Sequence, residues 1–271
     1  MINVKEVGAK KEKEEAMRIV FIGAGNLATH LAEACKTVGH EILQVYSRTM
    51  ENAATLAAKT GADAINDLSQ VNPAAHLYLF SVKDDALAAV IKQMPQTGGV
   101  WAHTAGSLPM HLFAALHAEH GVLYPLQTFS KHRKIDFDTI PVFVEGSSDA
   151  TTRLLEEFAC TLSSNVQRLS GEKRRFLHLA AVYACNFVNH MYTLAAEITH
   201  KEEISFDLLL PLIVETAAKV TTMTPSAAQT GPAVRYDEGV MAKHLALLND
   251  AEMEEIYKLL SKSIHKHAGG R

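Results

Sequence analysis

Cysteine is scarce in this sequence. Cys35, Cys160 and Cys185 are the only three in 271 residues, an odd number, far apart and in no CxxC pair. That spacing excludes a disulfide framework and a zinc knuckle and points to a reducing compartment, so the protein is expected in the cytoplasm. A surplus of one charge is also missing: 26 Lys and Arg stand against 30 Asp and Glu, a formal charge of -4. Without a clustered basic surplus, neither nucleic acid nor an anionic membrane surface is an expected partner. Long hydrophobic runs are absent too. The longest aliphatic stretch, Leu208 to Val214, contains Pro211 and is far too short to span a bilayer, and the N-terminus lacks the apolar core of a signal peptide. The run Lys10-Lys11-Glu12-Lys13-Glu14-Glu15 nearly neutralises itself, and residues 1–16 read as a charged, solvated leader. Histidine is plentiful, at 14, yet the closest pairs, His117-x-x-His120 and His265-x-His267, have no cysteine or carboxylate set at ligand spacing. No metal site is expected.

What remains is a globular composition, 48% apolar and 21% charged, in a chain long enough for two domains. Residues 17–169 alternate between short apolar or β-branched runs and Ala/Leu-rich helical windows, the pattern of a mostly parallel sheet with crossover helices. The strand candidates are 18–22, 42–47, 76–82, 99–104, 121–124, 141–145 and 165–169, with a short extra strand at 64–65. Helical windows cover 26–38, 49–60, 86–92, 109–119 and 148–162. From residue 170 to 271 strand-like alternation disappears. One long helix is expected over 172–200, apolar on more than one side and so buried by two neighbours, followed by helices near 207–222, 238–248 and 251–266. The fold class is therefore α/β, a mostly parallel sheet domain followed by an all-α domain.

The segment Met17 to Ile22 is a buried strand, and Gly23-Ala24-Gly25-Asn26-Leu27-Ala28 follows without a gap and opens a helix. Gly23 permits the tight turn, Gly25 lets backbone approach a pyrophosphate, and Ala28 keeps the helix close to the sheet. The helix N-terminus then offers free N–H groups and positive dipole to the anion, which makes this a Rossmann-type dinucleotide site. The second strand ends in Tyr46-Ser47-Arg48-Thr49, where an NAD-specific site would place Asp or Glu. A guanidinium flanked by two hydroxyls suits the 2′-phosphate of NADP instead. The fourth strand ends in Ser81-Val82-Lys83-Asp84-Asp85, so Val82 and Lys83 are expected beside the cofactor, and Asp84 and Asp85 are expected to cap the next helix.

With these pieces go three more particular segments: His103-Thr104-Ala105-Gly106-Ser107, Tyr124-Pro125-Leu126-Gln127-Thr128-Phe129, and Thr230 to Asp237 followed by His244. Together they resemble the proteins that join a Rossmann domain like that of pyrroline-5-carboxylate reductase, or of F420-dependent NADP oxidoreductases, to a C-terminal domain of unknown function, DUF2520. The resemblance covers nearly the whole chain beyond the leader. It implies a helical C-terminal domain like those of 6-phosphogluconate and β-hydroxyacid dehydrogenases, and a homodimer formed through the C-terminal helices. It supplies no substrate.

His103, Ser107, Gln127 and Thr128 follow strands at the carboxyl edge of the sheet and are chemically able to stabilise or protonate a developing negative charge. Packing of His103 and loop bonding by Gln127 are the alternatives. The similar dehydrogenases use the first C-terminal helix for substrate binding or acid–base work, so the resemblance makes His178 and Asn186 first choices for catalysis, with His103 behind them. At α-helical spacing Asn189 joins His178 and Asn186 near one face. The lysine usual in β-hydroxyacid dehydrogenases is not evident there, and bonds across a helix or dimer interface are the competing reading of the same stripe. Arg235 could clamp a substrate carboxylate or phosphate, with Asp237 holding it and His244 facing the same cleft. Otherwise Asp237 caps the next helix and Arg235 pairs with it. The expected function is an NADP(H)-dependent oxidoreductase acting on a small, anionic carbonyl, imine or hydroxy compound between the domains. The alternative is a non-catalytic NADP-binding redox sensor or assembly protein.

Overall fold

The computed structural model describes residues 16–268. Its sheet begins at β1, Arg18–Ile22, where four successive side chains are completely buried. Such a run without polar alternation is what a parallel strand covered on both faces requires. It pairs in parallel with β2, Glu41–Tyr46, on one side and with β4, Leu77–Phe80, on the other. Beyond β2 lies β3, Asp63–Ile65, while β5, Val100–His103, and β6, His120–Pro125, extend the other wing. Then β7, Val142–Gly146, pairs antiparallel with β6, and β8, Val166–Arg168, is parallel to β7. The strand order is β3-β2-β1-β4-β5-β6-β7-β8. The chain runs outward from β1 and then returns to its other side, so the β1/β4 boundary is a switch point, where a crevice opens at the carboxyl ends of the strands.

Four helices flank this sheet: α1, Asn26–Thr37; α2, Met50–Thr60; α3, Asp84–Ile91; and α4, Asp149–Leu162. In α1, Ala28, Leu31, Ala32 and Cys35 recur at three- and four-residue spacing and are all buried, the stripe that docks a helix on a sheet. Burial pushes the Cys35 thiol far up, which leaves it un-ionised.

Two local expectations are corrected here. Residues 109–119 form no long helix but a single 3-10 turn, Met110–Phe113. His117 bonds the Gly99 carbonyl at 2.7 Å and stacks on Trp101 with ring centroids 4.4 Å apart, which draws the chain off a helical path. At α3 the N-cap residue is Lys83 and no side chain caps the helix; Asp84 instead accepts a short hydrogen bond from the Ser107 hydroxyl.

The long helix is likewise three contiguous pieces: α5, Gly171–Ala181; a π turn, Val182–Phe187; and α6, Val188–Lys201. The chain divides into two compact units, Met1–Tyr183 and Ala184–Arg271, with the division inside that π turn. The sequence pattern changed at Ser170; the division comes later because α5 packs on the sheet. The Arg174 guanidinium, 1% exposed, pairs with Glu145 of β7 at 2.6 Å and donates to the Leu108 carbonyl at 2.6 Å, while Glu145 also accepts from the Gly171 amide at 2.9 Å. The expected charged leader, save Ala16, lies outside the described residues.

The second unit holds α6, then α7, Leu210–Thr222, the short turns α8, Pro225–Ala228, and α9, Pro232–Arg235, then α10, Glu238–Leu245, and α11, Ala251–Ala268. Ala233, Met241 and Met253 are buried in it, but many of its apolar side chains are left uncovered by the described residues: Leu208, Leu212 and Val214 are 72%, 63% and 67% exposed. The expectation that two neighbours bury the long helix is not met within the single chain, where Phe176, Tyr183 and Phe187 are exposed as well. Among the described residues no helix is long and apolar enough to cross a membrane.

Candidate functional site

At the carboxyl end of β1 the chain turns at Gly23 with φ +125°, and its amide donates to the Tyr46 carbonyl of β2 at 2.8 Å. A Cβ here would stand 2.7 Å from the Ser81 carbonyl carbon, so β4 leaves room only for glycine. At Gly25 the situation is opposite, with nothing within 4 Å of an added Cβ. The space beside Gly25 is therefore open for a ligand rather than closed by protein. Gly25 is also the N-cap of α1, which has no side-chain cap and no acidic residue in its first turn. Its leading N–H groups and positive dipole thus face outward uncompensated, the condition for holding a pyrophosphate.

These residues open onto a cavity of about 290 Å³. Of the residues expected at the cofactor, Gly23, Ala24, Gly25, Ser47, Arg48, Val82 and Lys83 all line it; Asn26, Leu27 and Thr49 do not. Arg48 is exposed and makes no ion pair among the described residues, so its guanidinium is free to meet an anion. Asn26 points elsewhere, its side-chain amide donating to the Phe129 carbonyl at 3.0 Å. Near it the His30 ring bonds the Ser130 carbonyl at 2.8 Å, so α1 holds the loop that follows β6. That loop delivers Lys131 into the same cavity as Arg48 and Lys83. Lys131 was missed in the sequence, although it starts a basic run, Lys131-His132-Arg133-Lys134, directly after the Tyr124 to Phe129 segment and Ser130.

Farther along the carboxyl edge, His103 ends β5 with no exposure at all. Its Nδ1 accepts from the Ala105 amide at 3.2 Å, and its Nε2 makes no full hydrogen bond among the described residues, with only a weaker pull from the Pro109 backbone. Burial, aided by the Arg174 charge, pushes its pKa down to about 3, so the ring is neutral and its proton is on Nε2. Full enclosure separates His103 from any ligand in this conformation, and the geometry fits the packing alternative, with its ring 5.8 Å from that of Phe113. Ser107 is tied to Asp84, as above. Gln127 and Thr128 are exposed, and the Gln127 carbonyl oxygen turns back to accept from the Thr128 amide at 2.8 Å.

The chemistry-bearing contact that the sequence did not reveal is between Tyr124, near the end of β6, and His178 of α5. The phenol oxygen lies 2.9 Å from His178 Nδ1, and the rings meet edge-on. Burial raises the Tyr124 pKa while the Arg174 charge pulls the other way. Gly106 lies against both side chains: a Cβ there would be 2.6 Å from His178 Nδ1 and 2.9 Å from Tyr124 Cζ.

Asn186, Arg235, Asp237 and His244 belong to the second unit. Asn186 sits exposed in the π turn, and since a π turn shifts helical phase by about one residue, the α-helical spacing that grouped His178, Asn186 and Asn189 does not run through it. Asp237 caps α10 by accepting from the Val240 amide at 3.2 Å, and no ion pair joins it to Arg235. Arg235 itself is exposed, just before Tyr236, whose φ of 53° turns the chain into α10. His244 Nδ1 bonds the Tyr257 hydroxyl at 2.9 Å. Among the described residues no three His, Cys, Asp or Glu side chains are grouped as a metal ion would need.

Comparison with known proteins gives two family matches, "NADP oxidoreductase coenzyme F420-dependent" over residues 18–100 and the domain of unknown function DUF2520 over residues 140–264. Among solved structures, a Bacteroides fragilis protein provisionally described as an NADP oxidoreductase is 49% identical, with 93% of this chain and 98% of that one covered and a TM-score of 0.87. A reductive aminase from Aspergillus terreus in complex with NADPH and ethyl-5-oxohexanoate shares the fold at 16% identity, covering 94% and 88% with a TM-score of 0.63. A 1-pyrroline-5-carboxylate reductase from Streptococcus pyogenes does so at 12% identity, covering 94% and 99% with a TM-score of 0.62. No curated protein matches.

Proposed function

The chain belongs to the NADP-oxidoreductase-like family that carries a DUF2520 domain, and from that premise we propose that it is an NADP(H)-dependent oxidoreductase of a small carbonyl, imine or hydroxy compound. The carrying observation is the single cavity that collects Gly23, Gly25, Arg48 and Lys83 at the switch point of the sheet. Its donor set fits a dinucleotide phosphate: an enforced glycine turn, an open approach at Gly25, an uncapped helix N-terminus and cations without ion-pair partners among the described residues. Arg48 and the Ser47 hydroxyl hold the 2′-phosphate, and Lys83 with Lys131 adds charge from two other segments. Bound NADPH supplies a hydride at its nicotinamide ring.

The reacting heteroatom needs a hydrogen-bond donor, and His178 of α5 is the best-placed candidate, with Ser107 nearby on the same sheet edge. An anionic substrate is supported by Arg235, whose guanidinium has no carboxylate partner among the described residues. The fold is also that of a reductive aminase and a pyrroline-5-carboxylate reductase, so imines belong in the first round of candidates. The apolar surface left open on the helical unit supports a homodimer formed through it. The three cysteines, none of them in a disulfide, agree with a cytoplasmic location.

The test has two parts. Arg48→Asp is expected to weaken NADPH binding about 30-fold, the worth of a lost charge-assisted contact, with little change for NADH. An unchanged NADPH/NADH affinity ratio in fluorescence titrations removes the 2′-phosphate assignment. Purified protein with NADPH is then screened against ketoacids, aldehydes and imines. Tight nucleotide binding without turnover on any of them would favour the non-catalytic sensor.

A further inference from the structure

We propose that Tyr124 is a positioning residue for His178: it fixes the imidazole as the Nε2–H tautomer and refills its proton during the reaction. This rests on the oxidoreductase reading above for its purpose, but not for its geometry.

Tyr124 is 7% exposed, and the only partner of its hydroxyl among the described residues is His178 Nδ1 at 2.9 Å. A phenol has one proton to donate. If Nδ1 carried a hydrogen and donated to the phenol oxygen, the phenol proton would be left buried with no acceptor, a cost of about 1–3 kcal/mol. The hydroxyl therefore donates, Nδ1 accepts, and the neutral ring carries its hydrogen on Nε2. Nε2 has no partner among the described residues, and His178 is only half-buried, so that N–H is available to a ligand. The orientation of a catalytic imidazole is commonly set this way, by the bond made at its other nitrogen.

Two further features belong to the pair. Gly106 is the only residue that fits beside it, because a methyl group would collide with both Nδ1 and the phenol ring. Arg174, buried and held by Glu145 and the Leu108 carbonyl, puts a fixed positive charge near the phenol. Of the other titratable groups at this edge, His103 is neutral and enclosed, and Asp84 accepts from the Ser107 hydroxyl.

The proton accounting follows. Reduction of a C=O or C=N bond adds a hydride to carbon, with the reduced nicotinamide as reductant, and leaves a negative charge on the heteroatom. His178 Nε2–H gives its proton to that heteroatom while the Tyr124 hydroxyl proton passes to Nδ1. The imidazole stays neutral throughout in its other tautomer. The net loss is one proton from Tyr124; burial disfavours the resulting phenolate and the Arg174 charge offsets only part of that, so the phenol takes its proton back from Nδ1 as solvent reprotonates Nε2 after the product leaves.

Nitrogen-15 NMR of histidine-labelled protein, without added nucleotide, reads the tautomer directly. The wild type is expected to show His178 with Nε2 protonated and Nδ1 bare. In Tyr124→Phe, and independently in Gly106→Ala, that preference is expected to collapse to a mixture. NADPH affinity should stay within about twofold in Tyr124→Phe, which reports intact folding of the sheet. With a substrate in hand, Tyr124→Phe should lose about 100-fold in kcat with KM little changed. A wild-type ring protonated on Nδ1, or an unaltered tautomer in Tyr124→Phe with NADPH binding intact, overturns the proposal. Nucleotide binding without turnover of any substrate, beside the expected tautomers, counts instead against the oxidoreductase reading, and with it the proton refill.

Discussion

In the sheet unit β4 reads Leu77-Tyr78-Leu79-Phe80, and all four side chains are buried. In the helical unit α7 reads Leu210-Pro211-Leu212-Ile213-Val214, and none of its residues is buried. The two stretches are equally apolar as sequence and opposite as structure. A parallel strand finds its covering helices within the same unit, through crossovers of a few tens of residues. The helices after Tyr183 present more apolar surface than they cover themselves. The difference separates a unit that completes its own core from one that leaves apolar side chains exposed.

The sharpest way to probe the closed unit is to add one methyl group. Gly23→Ala meets β4 backbone at a positive φ, and a loss of about 3 kcal/mol or more is expected, seen as a large drop in Tm together with loss of NADPH binding. Gly25→Ala, two residues on, should leave Tm within about a degree and weaken only the nucleotide, because nothing surrounds its Cβ. Equal thermal effects at both positions would mean that the turn is not read correctly.

The open unit is probed by charge. Leu208→Glu with Leu212→Glu, four residues apart on exposed surface, is expected to convert a dimer to a monomer in sedimentation equilibrium. The same charge at Leu116, an isolated exposed side chain of the sheet unit, should leave the mass unchanged. A dimer that survives the double substitution breaks the comparison, since the apolar face would then have some other cover.

The smallest effect concerns His103. Its folded pKa, about 3, lies below its ordinary value of 6.5, so between those limits the unfolded chain takes up a proton that the folded chain refuses. Falling pH across that window therefore favours unfolding, by at most about 1.4 kcal/mol per pH unit from this residue. His103→Gln, which cannot take up that proton, should flatten the acid limb of stability measured by denaturant titration. An acid limb of unchanged slope would show that His103 charges without leaving its site.

Legibility in the sequence followed the range of the interactions. β1, the glycine turn and α1 are consecutive in the chain, and their order and bounds could be read almost to the residue. β4, like β1 after Arg18, announced itself as an unbroken apolar run. The 109–119 segment had a helical composition but is decided by His117 reaching back 18 residues to Gly99, which no local pattern encodes. The π turn leaves no compositional trace in Val182 to Phe187. Tyr124 was visible as part of a segment, yet its partner is 54 residues away, and Glu145 finds Arg174 across 29. Lys131 carried a local signal, a basic run, which becomes meaningful only once α1 is seen to hold that loop at the cavity beside the glycine turn.

The antiparallel step between β6 and β7 has an evolutionary consequence. The DUF2520 match begins at residue 140, just ahead of β7, so two strands of the sheet and the helix bearing His178 fall on the far side of that border. Recombination at that border would not swap a helical module onto a finished nucleotide domain. It would exchange one wing of the sheet, leave β6 as a raw edge until the new wing paired with it, and bring in a different helix beside Tyr124 in the same event. The glycine turn and the Tyr124–His178 contact thus span a seam that runs through a single sheet, with His178 contributed from its far side.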